Sequence, residues 1–203
     1  MGRIKLAEPL TEIKLAPKEV YTYADYALLP EGAPYQLIGG KLVMTPSPIP
    51  YHQSISMRLE LKLASYVLEK NLGMVYDAPL DVYLEETETY QPDIIFIAKD
   101  RLFIIEPTKI NGAPDLVVEI LSPSTAYYDL KKKFKVYAKH GVKEYWIVDP
   151  LEKSVEVYTG IDGKFTLRQK VEKEGVINSE VARGFVVEIK DIFIEILGYS
   201  SRS

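Results

Sequence analysis

The chain contains no cysteine. That excludes a disulfide framework, a thiolate metal site and a cysteine nucleophile. It also fits a cytoplasmic protein, which is the expected compartment. Histidine is nearly as scarce, with only His52 and His140, and no HExxH occurs. A histidine-rich zinc site is therefore not expected. The GxxxxGK[ST] phosphate loop, GxGxxG and the GxSxG elbow are all missing, so serine hydrolase chemistry has little support. Long apolar runs are missing too, and none approaches the roughly 18 residues of a membrane span. No membrane partner is expected. The start "MGRIKLAEPLTEIKLAPKEV" mixes charges with apolar residues and has no continuous apolar region, so no signal peptide is expected. Leu6 stands where a myristoylation signal carries Ser or Thr. Finally, positive charge is not in excess. A net charge of −4 argues against coating nucleic acid by bulk electrostatics, although a local basic groove remains compatible with it.

What remains is ordinary globular material. The 203 residues are 47% hydrophobic and 27% charged, enough to bury a core in one large domain or a domain with extensions. Residues 1–20 read as an N-terminal arm. "TYADYALLP" reads as a short helix ended before Pro30. "YQLIGGKLVM" reads as a hairpin, because Gly39-Gly40 supplies the positive φ of a tight turn. From Tyr51 to about Lys70, His52, Ile55, Leu59, Leu63 and Tyr66 fall on one stripe at three- and four-residue spacing, which predicts a helix. "MVYDAPLDVYL" and "PDIIFIA" read as strands with an acidic loop, "EETET", between them. "RLFII" reads as a further short strand or helix. "PDLVVEIL" reads as a strand, and "SPST" breaks it and caps the next helix through Ser124 or Thr125. That helix runs to about His140 and stops at Gly141. "KEYWIVD" follows as a strand ended by Pro150. "SVEVYTG", "KFTLRQKV" and "FVVEI" form a β-rich tail, and "DIFIEIL" closes the chain as a short helix. The order helix, strand, strand, strand, helix, strand across residues 51–149 gives an α/β sheet with helices on its faces.

The chemistry rests on carboxylates. Leu116, Val117, Val118, Ile120 and Leu121 make "PDLVVEIL" apolar on both faces, the pattern of a covered central strand. Yet Glu119 sits in its middle. A buried charge needs a cation, a metal or a tight set of hydrogen bonds. Asp93 opens "PDIIFIA", a second strand apolar on both faces. If the two strands are neighbours, their carboxylates converge, and hard oxygen ligands of this kind suit Mg²⁺ or Mn²⁺. The plainer alternative is that Asp93 caps a turn while Glu119 pairs with a buried Arg or Lys. The pattern leaves both open.

The helix "DLKKKFKVYAKHG" offers the cations. At 100° per residue, Leu130, Phe134, Tyr137 and Ala138 form its apolar face. Lys131, Lys132, Lys135 and Lys139 point away from it as a solvated face. Lys133 falls at the margin, near Asp129 and His140. It either sends its ammonium toward the sheet carboxylates or snorkels at the edge of the core. Asp129 lies in the first turn, where a negative charge is favourable in any case. His52 is a candidate to touch substrate or metal, with a local hydrogen bond as the plainer reading. Asp115 is expected to bond backbone at the start of its strand, and Ser122, Ser124 and Thr125 read as turn and cap residues.

Taken together, these segments resemble the Uma-two family, described as endonucleases, with the PD-(D/E)XK restriction-endonuclease-like fold. The matching pieces are "YQLIGGKLV", the stripe of His52, Ile55 and Leu59, "APLDVYL", "QPDIIFIA", "APDLVVEILSPST", the D-x-x-x-K-x-x-x-Y spacing of Asp129, Lys133 and Tyr137, "GVKEYWIVDP" and "VEVY". They span most of residues 20–195. The resemblance implies that Asp93 and Glu119 lie on adjacent strands of a mixed sheet and bind a divalent metal. It implies that Lys133 replaces the lysine usually found two positions after the acid, where Leu121 stands. Gln36 occupies a hairpin position that often carries Glu in the family, and it is a weaker metal ligand.

The expectation is thus an α/β fold. It has a restriction-endonuclease-like mixed β-sheet core at about residues 51–150, flanked by helices, with a β-rich N-terminal hairpin and a β-rich C-terminal extension at 151–203. The expected activity is Mg²⁺- or Mn²⁺-dependent hydrolysis of nucleic acid, with DNA the expected substrate. Asp93, Glu119 and Lys133 would be catalytic, with His52, Gln36 and Asp129 secondary. A homodimer is expected, with the arm and the β-rich tail as its elements, since two-fold assembly is the commonest. A second reading keeps the fold as a binding module whose acidic cluster is structural.

Overall fold

The structure, a computed structural model, describes residues 16–193 apart from Glu31, Ser124 and Thr125. The expected arm through residue 15, the capping by Ser124 or Thr125, and the end of the "DIFIEIL" helix lie outside the described residues.

In chain order the elements are α1 (Tyr23–Tyr26), β1 (Tyr35–Ile38), β2 (Lys41–Met44), α2 (Pro50–Lys70), β3 (Gly73–Asp77), β4 (Val82–Glu85), β5 (Glu88–Tyr90) and β6 (Ile94–Ala98). A 3₁₀ turn at Lys99–Ile104 leads to β7 (Ile110–Asn111) and β8 (Leu116–Ile120). A π-helical stretch, Tyr128–Lys133, runs straight into α3 (Phe134–His140). β9 (Glu144–Asp149), β10 (Ser154–Ile161), β11 (Lys164–Glu172), β12 (Val176–Asn178) and β13 (Val186–Glu188) complete the described chain, with a last 3₁₀ turn at Ile189–Asp191.

The described strands form three sheets. The largest has the order β11-β10-β9-β8-β6-β3, in which only β8 and β9 are parallel. A second has the order β2-β1-β5-β4-β7, and β12 pairs with β13. The large sheet is covered on both sides, and the two-residue alternation of its strands sorts its side chains. Ile94, Phe96, Leu116, Val118, Ile120, Trp146 and Val148 face Ile55, Leu59, Leu63 and Val67 of α2. Ile95, Ile97, Val117, Tyr145 and Ile147 face the other way, against Tyr137 of α3 and Val82, Leu84 and Tyr90 of the second sheet. Burying one such aliphatic side chain contributes about 1.5–3 kcal/mol. Glu119 shares the side of Val117, so it points toward α3 and the second sheet.

Local signals explain the boundaries. Pro50 sits at the first position of α2, where its missing N–H costs nothing, and Asn71 ends the helix in the left-handed conformation. Gly39 and Gly40 both have positive φ, 58° and 69°, and close the β1–β2 hairpin as expected. Gly141, with φ 87°, ends α3.

Three expectations need correction. "MVYDAPLDVYL" is not one strand: it divides at Ala78-Pro79 into β3 of the large sheet and β4 of the second. Alternation reports a strand but not the sheet it joins. "EETET" is not a loop throughout, because Glu88 and Thr89 belong to β5 and are buried. Leu130 is not on the apolar face but 40% exposed, while Asp129 and Lys133 are buried. The wider π-helical winding shifts the phase that 100° per residue assumes. "RLFII" resolves to the 3₁₀ turn. β7 and β12, both too short to show periodicity, were not foreseen.

Candidate active site

β6 and β8 run antiparallel with Ile94 opposite Val118. The same register continued one step sets Asp93 across from Glu119, on the same side of the sheet. Asp93 Oδ2 accepts a hydrogen bond from the Ile120 backbone N–H at 2.7 Å. The carboxylate therefore ties the start of β6 to the end of β8.

Glu119 is 3% exposed. Its partners come from the helix that follows. Lys133 Nζ donates to Glu119 Oε1 at 3.0 Å, and the Tyr137 hydroxyl donates to the same oxygen at 2.8 Å. Lys133 Nζ also lies 2.9 Å from Asp129 Oδ1, a charge contact outside hydrogen-bond geometry. Asp129, Lys133 and Tyr137 are thus one inward stripe at four-residue spacing. Lys133 is 2% exposed, so it does not snorkel. Asp129 does lie in the first turn, and its side chain is also buried against the lysine.

The electrostatics follow from this geometry. Burial pushes the Glu119 carboxyl up to about 8; Lys133 opposes the rise, while Asp129 and Asp93 add to it. Burial also works against the charge on Lys133, but Glu119 and Asp129 outweigh it and raise the lysine further. Burial and the nearby Glu119 raise Tyr137 well above its ordinary value, so it stays a neutral donor. One ammonium faces the carboxyl groups of Glu119 and Asp129, and Asp93 adds its negative charge from the neighbouring strand. The excess of negative charge is carried by a proton on Glu119 or by an added cation.

His52 sits in the first turn of α2. Its Nε2 lies 3.1 Å from the Ile120 carbonyl and 3.5 Å from Asp93 Oδ2. Burial works against its charge, but the hydrogen bond and charge of Asp93, the Ile120 carbonyl and Asp129 outweigh it and raise its pKa. The other ring nitrogen, Nδ1, is buried without a protein partner among the described residues. Gln36 lies in β1 of the second sheet. Its Oε1 accepts from the Gln91 N–H at 3.0 Å and its Nε2 donates to Thr45 Oγ1 at 3.2 Å. It thus holds the backbone two residues before Asp93 and does not bond Asp93 or Glu119. Asp115 does bond backbone as expected, accepting from Ala98 N–H at 2.8 Å, and it also pairs with Arg101 and Lys143.

Glu119, Lys133, Asp129 and Tyr137 thus form one cluster, Asp93 and His52 a second at the end of the same strand pair, and Gln36 stands behind Asp93. Tyr137 was foreseen only as an apolar-face residue. Its place at the end of the Asp-Lys-Tyr spacing was the available signal.

Among the described residues, no three His, Asp or Glu side chains close on one point as a cation cage. The donors that Asp93 and Glu119 offer are hard carboxylate oxygens, the type of which Mg²⁺ takes one or two, with waters and substrate phosphate completing its shell.

A family model named Uma2, described as "Putative restriction endonuclease", matches residues 21–190. The chain belongs to the Uma2 family. A solved structure described as "a putative nuclease belonging to DUF820", from Anabaena variabilis ATCC 29413, superposes with a TM-score of 0.70. It is 25% identical and covers 85% of this chain and 97% of its own. The Uma2 chain has the restriction-endonuclease-like fold. Two proteins of Synechocystis sp. (strain ATCC 27184 / PCC 6803 / Kazusa) are also similar. "Uncharacterized protein sll1609" is 23% identical over 176 residues, covering 85% of this chain and 97% of that protein. "Uncharacterized protein slr1290" is 30% identical over 111 residues, 53% of this chain and 56% of that protein. No described helix is long and apolar enough to cross a membrane.

Proposed function

We propose that this Uma2 protein is a metal-dependent endonuclease that hydrolyses phosphodiester bonds in nucleic acid, with DNA as its substrate. One observation carries the reading. Asp93 and Glu119 stand opposite one another in the continued register of neighbouring strands of a nuclease fold, with the Lys133 ammonium 3.0 Å from Glu119.

Asp93 and Glu119 would hold Mg²⁺ or Mn²⁺. When bound, such an ion polarises the phosphate and lowers the pKa of a water molecule. Lys133 fixes the orientation of Glu119 and sets a positive charge beside the carboxylates, where negative charge develops in the transition state. Tyr137 holds the same Glu119 oxygen from the other side. His52 holds the Asp93 carboxylate and the Ile120 carbonyl in register. In the reaction the water oxygen gives up a proton to solvent and forms the new bond to phosphorus, the bond to the leaving sugar oxygen breaks, and that oxygen takes up a proton from solvent.

A second reading has its own support. Glu119 and Lys133 are shut from solvent and satisfy one another, as a structural ion cluster in a binding module would. Cleavage decides between the two. Plasmid, single-stranded DNA and RNA are incubated with Mg²⁺ or Mn²⁺, with and without a chelator. The nuclease reading expects cleavage of at least one substrate that the chelator abolishes. No cleavage of any substrate favours the binding module.

A further inference from the structure

The helix that sends Asp129 and Lys133 inward carries a different set of side chains outward. Tyr127 is 65% exposed, and Leu130 lies in the open beside it. Tyr128 is half-buried. Its ring meets that of Tyr127 edge-on, with centroids 5.7 Å apart and planes at 78°. Lys132 Nζ stands 5.9 Å from the centre of the Tyr128 ring. Lys131, Lys132 and Lys135 are exposed, and none of the three has a carboxylate partner among the described residues. Lys139, on the same helix, is taken up by Glu85 at 2.8 Å.

These features do not serve the core. Tyr127 gives up little surface to the protein, and its ring meets that of Tyr128. It lies six positions before Lys133, at the start of the same helical stretch. An aromatic face flanked by unpaired lysines suits one ligand chemistry, a base with its phosphates. Bases offer a π-face to aromatic side chains only when unstacked, and aromatic platforms beside cationic residues are how single strands are gripped without reading sequence. A paired duplex keeps its base faces covered. The net charge of −4 also fits a short local contact better than a long duplex groove.

We propose that Tyr127, backed by Tyr128, is a stacking platform for an unpaired base. The backbone of that single-stranded segment lies along Lys131, Lys132 and Lys135, and a neighbouring phosphodiester reaches Asp93 and Glu119. The substrate class is therefore single-stranded or locally unpaired nucleic acid. The last step rests on the nuclease reading above; the platform itself does not.

The test is binding without divalent metal, read by fluorescence anisotropy with labelled single-stranded and duplex DNA of about 12 nucleotides. Wild type is compared with Tyr127→Ala, Tyr127→Trp and the double variant Lys131→Ala/Lys132→Ala. The single strand should bind more tightly than the duplex. Tyr127→Ala should weaken single-strand binding about ten- to a hundredfold and leave duplex binding unchanged. Tyr127→Trp, which keeps a stacking face, should bind like wild type. The double lysine variant should lower the salt slope for the single strand by about 1.4. Duplex bound as tightly as single strand, or a Tyr127→Ala variant that binds like wild type, overturns the proposal. Cleavage assays on the same proteins separate the two readings. Tyr127-dependent binding without cleavage by any metal keeps the platform and removes the nuclease. Metal-dependent cleavage with a Tyr127→Ala variant that binds like wild type does the reverse.

Discussion

Glu119→Gln tests the electrostatics of the site without removing its shape. Glutamine keeps an oxygen that accepts from Tyr137 and removes the charge. The folded carboxyl is raised from the ordinary 4.5 to about 8. Between those values the folded protein holds a proton that the unfolded chain has released. The unfolded state then binds fewer protons, so stability falls as pH rises through that window. At about 1.4 kcal/mol for each pH unit, the ceiling on the loss is about 5 kcal/mol. The glutamine oxygen still accepts from Lys133 as well as from Tyr137, and the attraction of the ammonium for the charged carboxylate is already contained in the raised pKa. The variant should therefore be more stable than wild type near pH 8, by an amount within that ceiling. For a chain of this size each kcal/mol gained raises Tm by about 2–4 °C. Calorimetric melting without metal, at about pH 5 and about pH 8, should show wild type losing stability between the two and the variant losing much less. His52 adds to the wild-type slope with the same sign: its raised pKa gives stability at low pH that is lost as pH climbs through the folded value. A wild type as stable near pH 8 as near pH 5, or a variant less stable than wild type near pH 8, would refute the reasoning.

Other expectations follow from the same contacts. Lys133→Met leaves Glu119 and Asp129 buried without their ammonium and should cost about 3–5 kcal/mol near pH 8 by urea unfolding, and less near pH 5, where Glu119 is protonated. Tyr137→Phe removes a donor to Glu119 and should raise the pH at which Mn²⁺ binding is half-maximal in titration calorimetry; an unchanged midpoint would count against the bond. Leu59→Ala empties a fully buried position between α2 and the large sheet and should cost about 2–5 kcal/mol with the urea m-value unchanged.

Much of this was legible in the residues, for physical reasons that differ from place to place. β8 announced itself because apolar groups on both faces demand cover on both faces, and Glu119 stood out against them. The hairpin was legible because Gly39-Gly40 fits a turn with two positive φ angles. The α2 stripe held because a regular helix keeps its period. Lys133 was harder. The 100° step assumed a regular α-helix, and the π-helical winding through Tyr128–Lys133 moved Leu130 outward and Asp129 and Lys133 inward. β5 was hidden because Glu88 is polar in sequence, yet the Gly39 N–H and the Tyr90 hydroxyl hold its carboxylate inside. The two-sheet division of "MVYDAPLDVYL" depends on partners far along the chain, which local alternation does not name.

The central claim is that Asp93 and Glu119 act together as the metal-binding pair of a nuclease. The most direct measurement is the initial rate of oligonucleotide cleavage in Mn²⁺ for wild type and Glu119→Gln, with folding of the variant checked by its melting curve. The account predicts measurable cleavage by wild type and a loss of at least about a hundredfold in a variant that melts no lower. Equal rates in the two proteins would contradict it.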